Sequence, residues 1–81
     1  MPATDYTDPE IPFPRLQARI QKVENDAYWI TIWLWEKPGN ERRLLTNGKR
    51  AGSFPDAHEI VAECARQYGA DVEPDDITVE M

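Results

Sequence analysis

The sequence predicts an α+β fold: an antiparallel sheet of four to five strands with one helix packed on one face, in the order β-β-β-β-α-β. Three observations predict it. Residues 15–23 carry apolar side chains at every second position, and residues 27–36 are almost wholly aromatic, β-branched or aliphatic, which marks half-buried strands. Turn residues punctuate the strands at Glu24-Asn25-Asp26, Lys37-Pro38-Gly39-Asn40 and Asn47-Gly48. After Ser53 the apolar spacing changes from two to three and four, the spacing of an amphipathic helix. With 81 residues there is room for one domain and one modest core.

Residues 1–14 contain Pro2, Pro9, Pro12 and Pro14. That density excludes a helix or a central strand, so this part reads as an extended N-terminal arm whose Ile11 and Phe13 dock on the body. The domain proper is then residues 15–81. In its first strand Leu16, Ala18 and Ile20 alternate with Arg15, Gln17, Arg19 and Gln21. The second strand is AYWITIWLWE, residues 27–36. A Pro-Gly turn leads to a third strand over 41–46. Asn47-Gly48 is the favoured dipeptide of a tight type I′ hairpin, which makes 49–52 a short fourth strand.

Ser53-Phe54-Pro55-Asp56 has the form of a helix start, with Ser as N-cap, Pro in the first turn and an acid at the third position. Ala57, Ile60, Val61, Cys64, Ala65 and Tyr68 then form one apolar stripe over about four turns. Asp56 and Glu59 lie near the positive helix end and Arg66 near the negative end. Gly69 is the natural residue to stop it. Glu73-Pro74-Asp75-Asp76 is a turn, and residues 77–81 alternate again as a terminal strand.

One helix covers one face of such a sheet. On the second strand Tyr28, Ile30, Ile32 and Leu34 point one way, while Trp29, Thr31, Trp33 and Trp35 point the other. Same-face residues are about 6.8 Å apart, so the three tryptophans form a row roughly 13–14 Å long. The aliphatic row suits the helix stripe, which puts the tryptophans on the opposite face. A three-residue loop at Glu24–Asp26 pairs Leu16 with Leu34, Ala18 with Ile32 and Ile20 with Ile30. It also sets Arg15, Gln17, Arg19 and Gln21 beside the tryptophans. A two-residue loop reverses that parity. The first register is preferred because it gathers the aliphatic side chains on one side. The Trp row is then either covered, by the arm or by a second copy, or left partly open as a platform.

The net charge of −6 is unevenly laid out. Residues 1–14 are acidic, residues 15–50 hold eight of the nine basic side chains, and residues 51–81 hold eight acids against Arg66 alone. The charge-bearing candidates for contact are therefore Arg15, Arg19 and Arg42 beside Trp29, Trp33 and Trp35, and an acidic surface of Asp71, Glu73, Asp75 and Asp76. Catalytic material is scarce. There is one Ser, one His and one Cys, so a hydrolase triad, a disulfide framework and a Cys-based zinc site have no residues to use. His58 reads as a solvated helix residue and Cys64 as a small core residue. Neither a catalytic constellation nor a metal or cofactor site is expected. The N-terminus has neither the basic nor the apolar region of a signal peptide, and the lone Cys fits a reducing compartment. A cytoplasmic, non-enzymatic protein is the expectation.

The run Gly48-Lys49-Arg50-Ala51-Gly52-Ser53-Phe54, followed by a short amphipathic helix and a terminal strand, resembles small sheet-plus-one-helix domains of bacteria and phages. Size, acidity and the lack of an active site are similar to phage-encoded inhibitors, anti-CRISPR proteins among them. The resemblance covers residues 15–81 as an architecture. No specific motif accompanies it, so no family residue is carried over. It implies a protein that occludes a partner, in particular a host machine that binds nucleic acid, with residues 71–80 imitating phosphates. The expected function is thus protein binding through the Trp face or the acidic C-terminal region, with a homodimer as a further way to cover the face. The alternative is a single-stranded nucleic-acid binder that stacks bases on the tryptophans and uses Arg15, Arg19, Arg42 and Arg43 for phosphate.

Overall fold

A computed structural model describes residues 5–80. The first four residues of the expected arm, and Met81 of the expected last strand, lie outside the described residues. The chain runs β1 (Arg15–Glu24), β2 (Ala27–Trp35), β3 (Arg43–Ala51), α1 (Phe54–Tyr68), a 3-10 turn (Pro74–Asp76) and β4 (Ile77–Glu80). The strands form one sheet in the order β3-β2-β1-β4. The fold is α+β, with one helix packed on a mostly antiparallel sheet.

The preferred register of the first hairpin is the one found: Leu16 pairs with Leu34, Ala18 with Ile32 and Ile20 with Ile30. It is reached by a different route from a three-residue loop. Glu24 pairs with Ala27 across a two-residue turn at Asn25-Asp26, and Val23 is an extra residue in β1. The bulge at Val23 restores the parity that a two-residue turn alone would reverse.

Asn47-Gly48 is not a hairpin turn. β3 runs unbroken through it, pairing with β2 from Tyr28–Ala51 to Leu34–Arg43. Two residues of β3, Gly48 and Leu45, have no partner of their own in the ladder. Gly48 has φ of 85°, the left-handed backbone that both a type I′ turn and a glycine bulge require. The dipeptide therefore signals the dihedral angle but not the choice between the two.

Losing that hairpin also changes the direction of the last strand. Three strands followed by one helix bring β4 back in the same sense as β1, and the two pair in parallel from Ala18–Ile77 to Gln21–Glu80. Four strands before the helix would have reversed it.

The helix forms as its signals require. Ser53 is the N-cap and its hydroxyl accepts from the Asp56 N–H at 3.2 Å. Gly69 closes the helix with φ of 62° and ψ of 29°, the left-handed stop that glycine adopts without strain. Ala57, Val61 and Ala65 are buried against Leu16, Ala18, Ile20, Ile30 and Ile32, with Ile60 and Cys64 at the margin. Tyr68, at the end of the stripe, is exposed. Each fully buried aliphatic side chain here contributes about 1.5–3 kcal/mol, and this cluster lies between α1 and one face of the sheet. Among the described residues no α-helix covers the opposite face.

Candidate interaction face

Alternation along each strand puts Trp29, Thr31, Trp33 and Trp35 on the helix-free face. The register lines them with Gln21, Arg19, Gln17 and Arg15 of β1, and with Arg50, Asn47 and Leu44 of β3 opposite Trp29, Thr31 and Trp33. The row of three tryptophans is thus present beside the arginines and glutamines of β1, but its two ends differ.

At one end Trp35 is only 8% exposed. The ring of Tyr6, from the arm, stacks on it with centroids 4.6 Å apart and planes within 8°. The Trp35 indole N–H donates to Gln17 Oε1 at 3.0 Å. The Tyr6 hydroxyl donates to Asp76 Oδ1 at 2.8 Å, and the Gly39 N–H donates to the Tyr6 carbonyl at 3.0 Å. Asp76 Oδ2 accepts from Arg15 Nε at 2.8 Å and from the Glu73 N–H at 2.8 Å. Arg15 is 7% exposed and Asp76 is 1% exposed. Burial, and next the hydrogen bond to Asp76, hold the Tyr6 phenol well above the ordinary tyrosine range.

Three sequence expectations are corrected here. Arg15 is not a surface cation, Asp76 is not part of the acidic surface, and Trp35 is not an open platform. Each is withdrawn by the same network. Arg15 stands opposite Trp35 in the ladder, and the 3-10 turn carries Asp76 to it. A guanidinium and a carboxylate that have lost solvent are retained only when paired and hydrogen-bonded. Asp71, Glu73 and Asp75 do lie on the surface. The arm reaches the Trp row through Tyr6; Ile11 and Phe13 are half-buried.

In the middle of the row Trp33 is half-buried. The Arg42 guanidinium lies 4.0 Å from its ring centroid, a cation–π contact of about 0.5–1 kcal/mol at an exposed site. Arg42 Nη1 also donates to Gln17 Oε1 at 2.8 Å. Gln17 therefore ties Arg42 to Trp35 through one oxygen.

The far end is open. Trp29 there is 41% exposed; Leu44, opposite Trp33 in the ladder, is 51% exposed. The Trp29 indole lies across Gly48, so closely that a Cβ there would overlap its ring. The bulge thus fixes Trp29 from below and leaves its outer face free.

Among the described residues, most arginines of residues 15–50 are ion-paired, while Lys22, Lys37 and Lys49 are not. Arg19 pairs with Glu80 at 2.7 Å, Arg50 with Glu24 at 3.2 Å and Arg43 with Glu36 at 3.4 Å. The hydrogen bond from Arg19 is the chief reason that the Glu80 carboxyl lies below its usual range. Among the described residues Arg42 is the one arginine without a carboxylate partner within ion-pair distance. Elsewhere, His58 packs edge-on to Phe54 at 4.5 Å, and burial raises the Cys64 thiol. The described residues contain no helix long and apolar enough to cross a membrane.

The residues that sequence reasoning missed are Tyr6, Gln17 and Leu44. Tyr6 is one aromatic in an arm without periodicity. Gln17 was placed beside the row but not given a role. Leu44 reaches the face only because of the bulge at Leu45, which no local pattern announces.

The class that fold and site define is a small α+β domain with a half-covered aromatic sheet face. Comparison with protein-family models, with curated proteins and with solved structures gives no match.

Proposed function

We propose that this chain is a non-enzymatic protein-binding module that engages its partner through the open half of the Trp face. The observation that carries the reading is that Trp29 and Leu44 are both exposed on this one face, with Thr31 and Asn47 between them. Trp33 and Arg42 continue the patch. Trp and Arg are the residues that most often dominate interfaces, where single truncations cost about 2 kcal/mol or more. Three of the four arginines that a nucleic-acid reading would use, Arg15, Arg19 and Arg43, are ion-paired, which favours a protein over nucleic acid, because phosphate binding draws on free cationic charge. In its sharper form the reading is an occluding inhibitor, of the kind that phages encode, directed at a machine that binds nucleic acid. Asp71, Glu73 and Asp75, which remain exposed, would meet that machine's basic surface.

The test is affinity capture with the full chain, compared with Trp29→Ala combined with Leu44→Ser, and with Arg66→Ala on the helix surface as control. The captured partner is expected to disappear in the first variant and persist in the second. Saturable, strongly salt-dependent quenching of the tryptophans by an oligonucleotide would overturn the reading in favour of a single-stranded nucleic-acid binder. Capture unchanged by the face variant would overturn it also.

A further inference from the structure

The contacts of Tyr6 describe more than a tether. Its ring lies flat on Trp35, 4.6 Å away. Its hydroxyl reaches one oxygen of a carboxylate whose other oxygen is held by Arg15 and by the Glu73 N–H. Its carbonyl accepts from the Gly39 N–H. Floor, end wall and backbone rail together read a phenol side chain carried on a turn, since the Asp8 N–H reaches the Asp5 carbonyl across Tyr6 and Thr7. Among the described residues of the arm from Asp5 to Phe13, Tyr6 is the one hydrogen-bonded to the body; the arm's other hydrogen bonds, at Asp5, Thr7, Asp8, Glu10 and Ile11, are internal to it.

We infer that the Trp35–Asp76 slot is a binding site for a tyrosine presented on a turn of a partner, and that Tyr6 is its built-in, displaceable self-ligand. The inference rests on the reading of this face as a protein-binding surface, and it names what one end of that surface accepts. Asp76 Oδ1 sets the selectivity. Phenylalanine would stack on Trp35 but leave that buried oxygen without its donor, which costs more than the bond itself gains. Phosphotyrosine would bring negative charge against the carboxylate. A partner that fills the slot frees the arm, which joins the Trp35 end to the open Trp29 end as one surface.

The experiment uses the full chain, isotopically labelled, as Tyr6→Ala, and follows the Trp35 indole N–H and the Gly39 amide by NMR. The probe is a turn-forming pentapeptide with its tyrosine inside the turn and no other likeness to the arm. Saturable shifts are expected with a dissociation constant on the order of 1 mM or tighter. The phenylalanine peptide should bind ~10-fold more weakly, the phosphotyrosine peptide not at all, and the unaltered chain ~10-fold more weakly than the variant, because Tyr6 competes. Tyr6→Phe, which keeps the stack and gives up the hydroxyl, is the second variant and should fall between them. Equal binding of the tyrosine and phenylalanine peptides, or no response in either variant at that concentration, overturns the inference. Failure here leaves Trp29 and Leu44 untouched, so it is distinguishable from failure of the binding-module reading.

Discussion

Asp76→Ala should be among the most damaging single changes in this chain. Asp76 is 1% exposed and accepts three hydrogen bonds, from Tyr6, Arg15 and the Glu73 N–H. Truncation leaves the Arg15 guanidinium, itself 7% exposed, without its counter-charge. Breaking a buried pair from one side costs about 3–5 kcal/mol. A chain of 81 residues has roughly 4–12 kcal/mol of stability in total at about 0.05–0.15 kcal/mol per residue. The variant therefore loses a quarter or more of what holds it folded. In urea, at a slope of about 1–1.5 kcal/mol/M, the midpoint should fall by ~2–5 M. Arg15→Met placed on top of Asp76→Ala removes the stranded charge and should recover part of the loss. The double-mutant cycle should return a coupling of about 2 kcal/mol or more. A loss under ~1 kcal/mol, or a coupling near zero, would refute the claim that these two groups form a buried, mutually dependent pair.

Three further outcomes follow from single contacts. Gly48→Ala should cost about 1–3 kcal/mol by thermal unfolding, because its methyl group overlaps the Trp29 ring and its φ is 85°; Gly52→Ala, with open space around it, should be close to neutral. Ser53→Ala removes the N-cap acceptor of α1 and should cost ~1 kcal/mol in the same assay. Tyr6 should be absent from the tyrosinate absorbance that develops near pH 10, since burial and the Asp76 bond raise its pKa above the usual 10.0. Above that pH the unfolded chain releases this proton while the folded chain keeps it, so its contribution to stability is whole below pH 10 and declines as pH rises. Tyr6→Phe should leave the amplitude near pH 10 unchanged; a drop there would contradict the assignment.

What was legible in the sequence is what local periodicity encodes. The alternation of β1 and β2 dictated the register of Leu16, Ala18 and Ile20 against β2, because only that parity collects the aliphatic side chains under α1. Ser53 and Gly69 marked the helix ends through chemistry confined to one turn. The same local logic placed the three tryptophans on one face. What was not legible depends on pairs far apart in the chain. Asp76 reads as one more acid in a turn until the fold brings it to Arg15 and Tyr6, 61 and 70 residues away. Arginines 19 and 50 read as free charge until Glu80 and Glu24 stand beside them. Gly48 needs a positive φ in either a turn or a bulge, so its identity alone leaves β3 undetermined.

The bulges of β3 also bear on what its outer edge offers to another strand. β3 is an edge of the sheet, and a straight edge with an exposed Leu44 would be a template for strand addition and fibril growth. Two unpaired residues, Gly48 and Leu45, interrupt its hydrogen-bonding rhythm within four positions. Arg43, Lys49 and Arg50 add charge along the same strand. An incoming strand finds no continuous ladder to extend. The apolar surface next to that edge is open to side chains, while bulges and charges on the strand work against addition to its backbone.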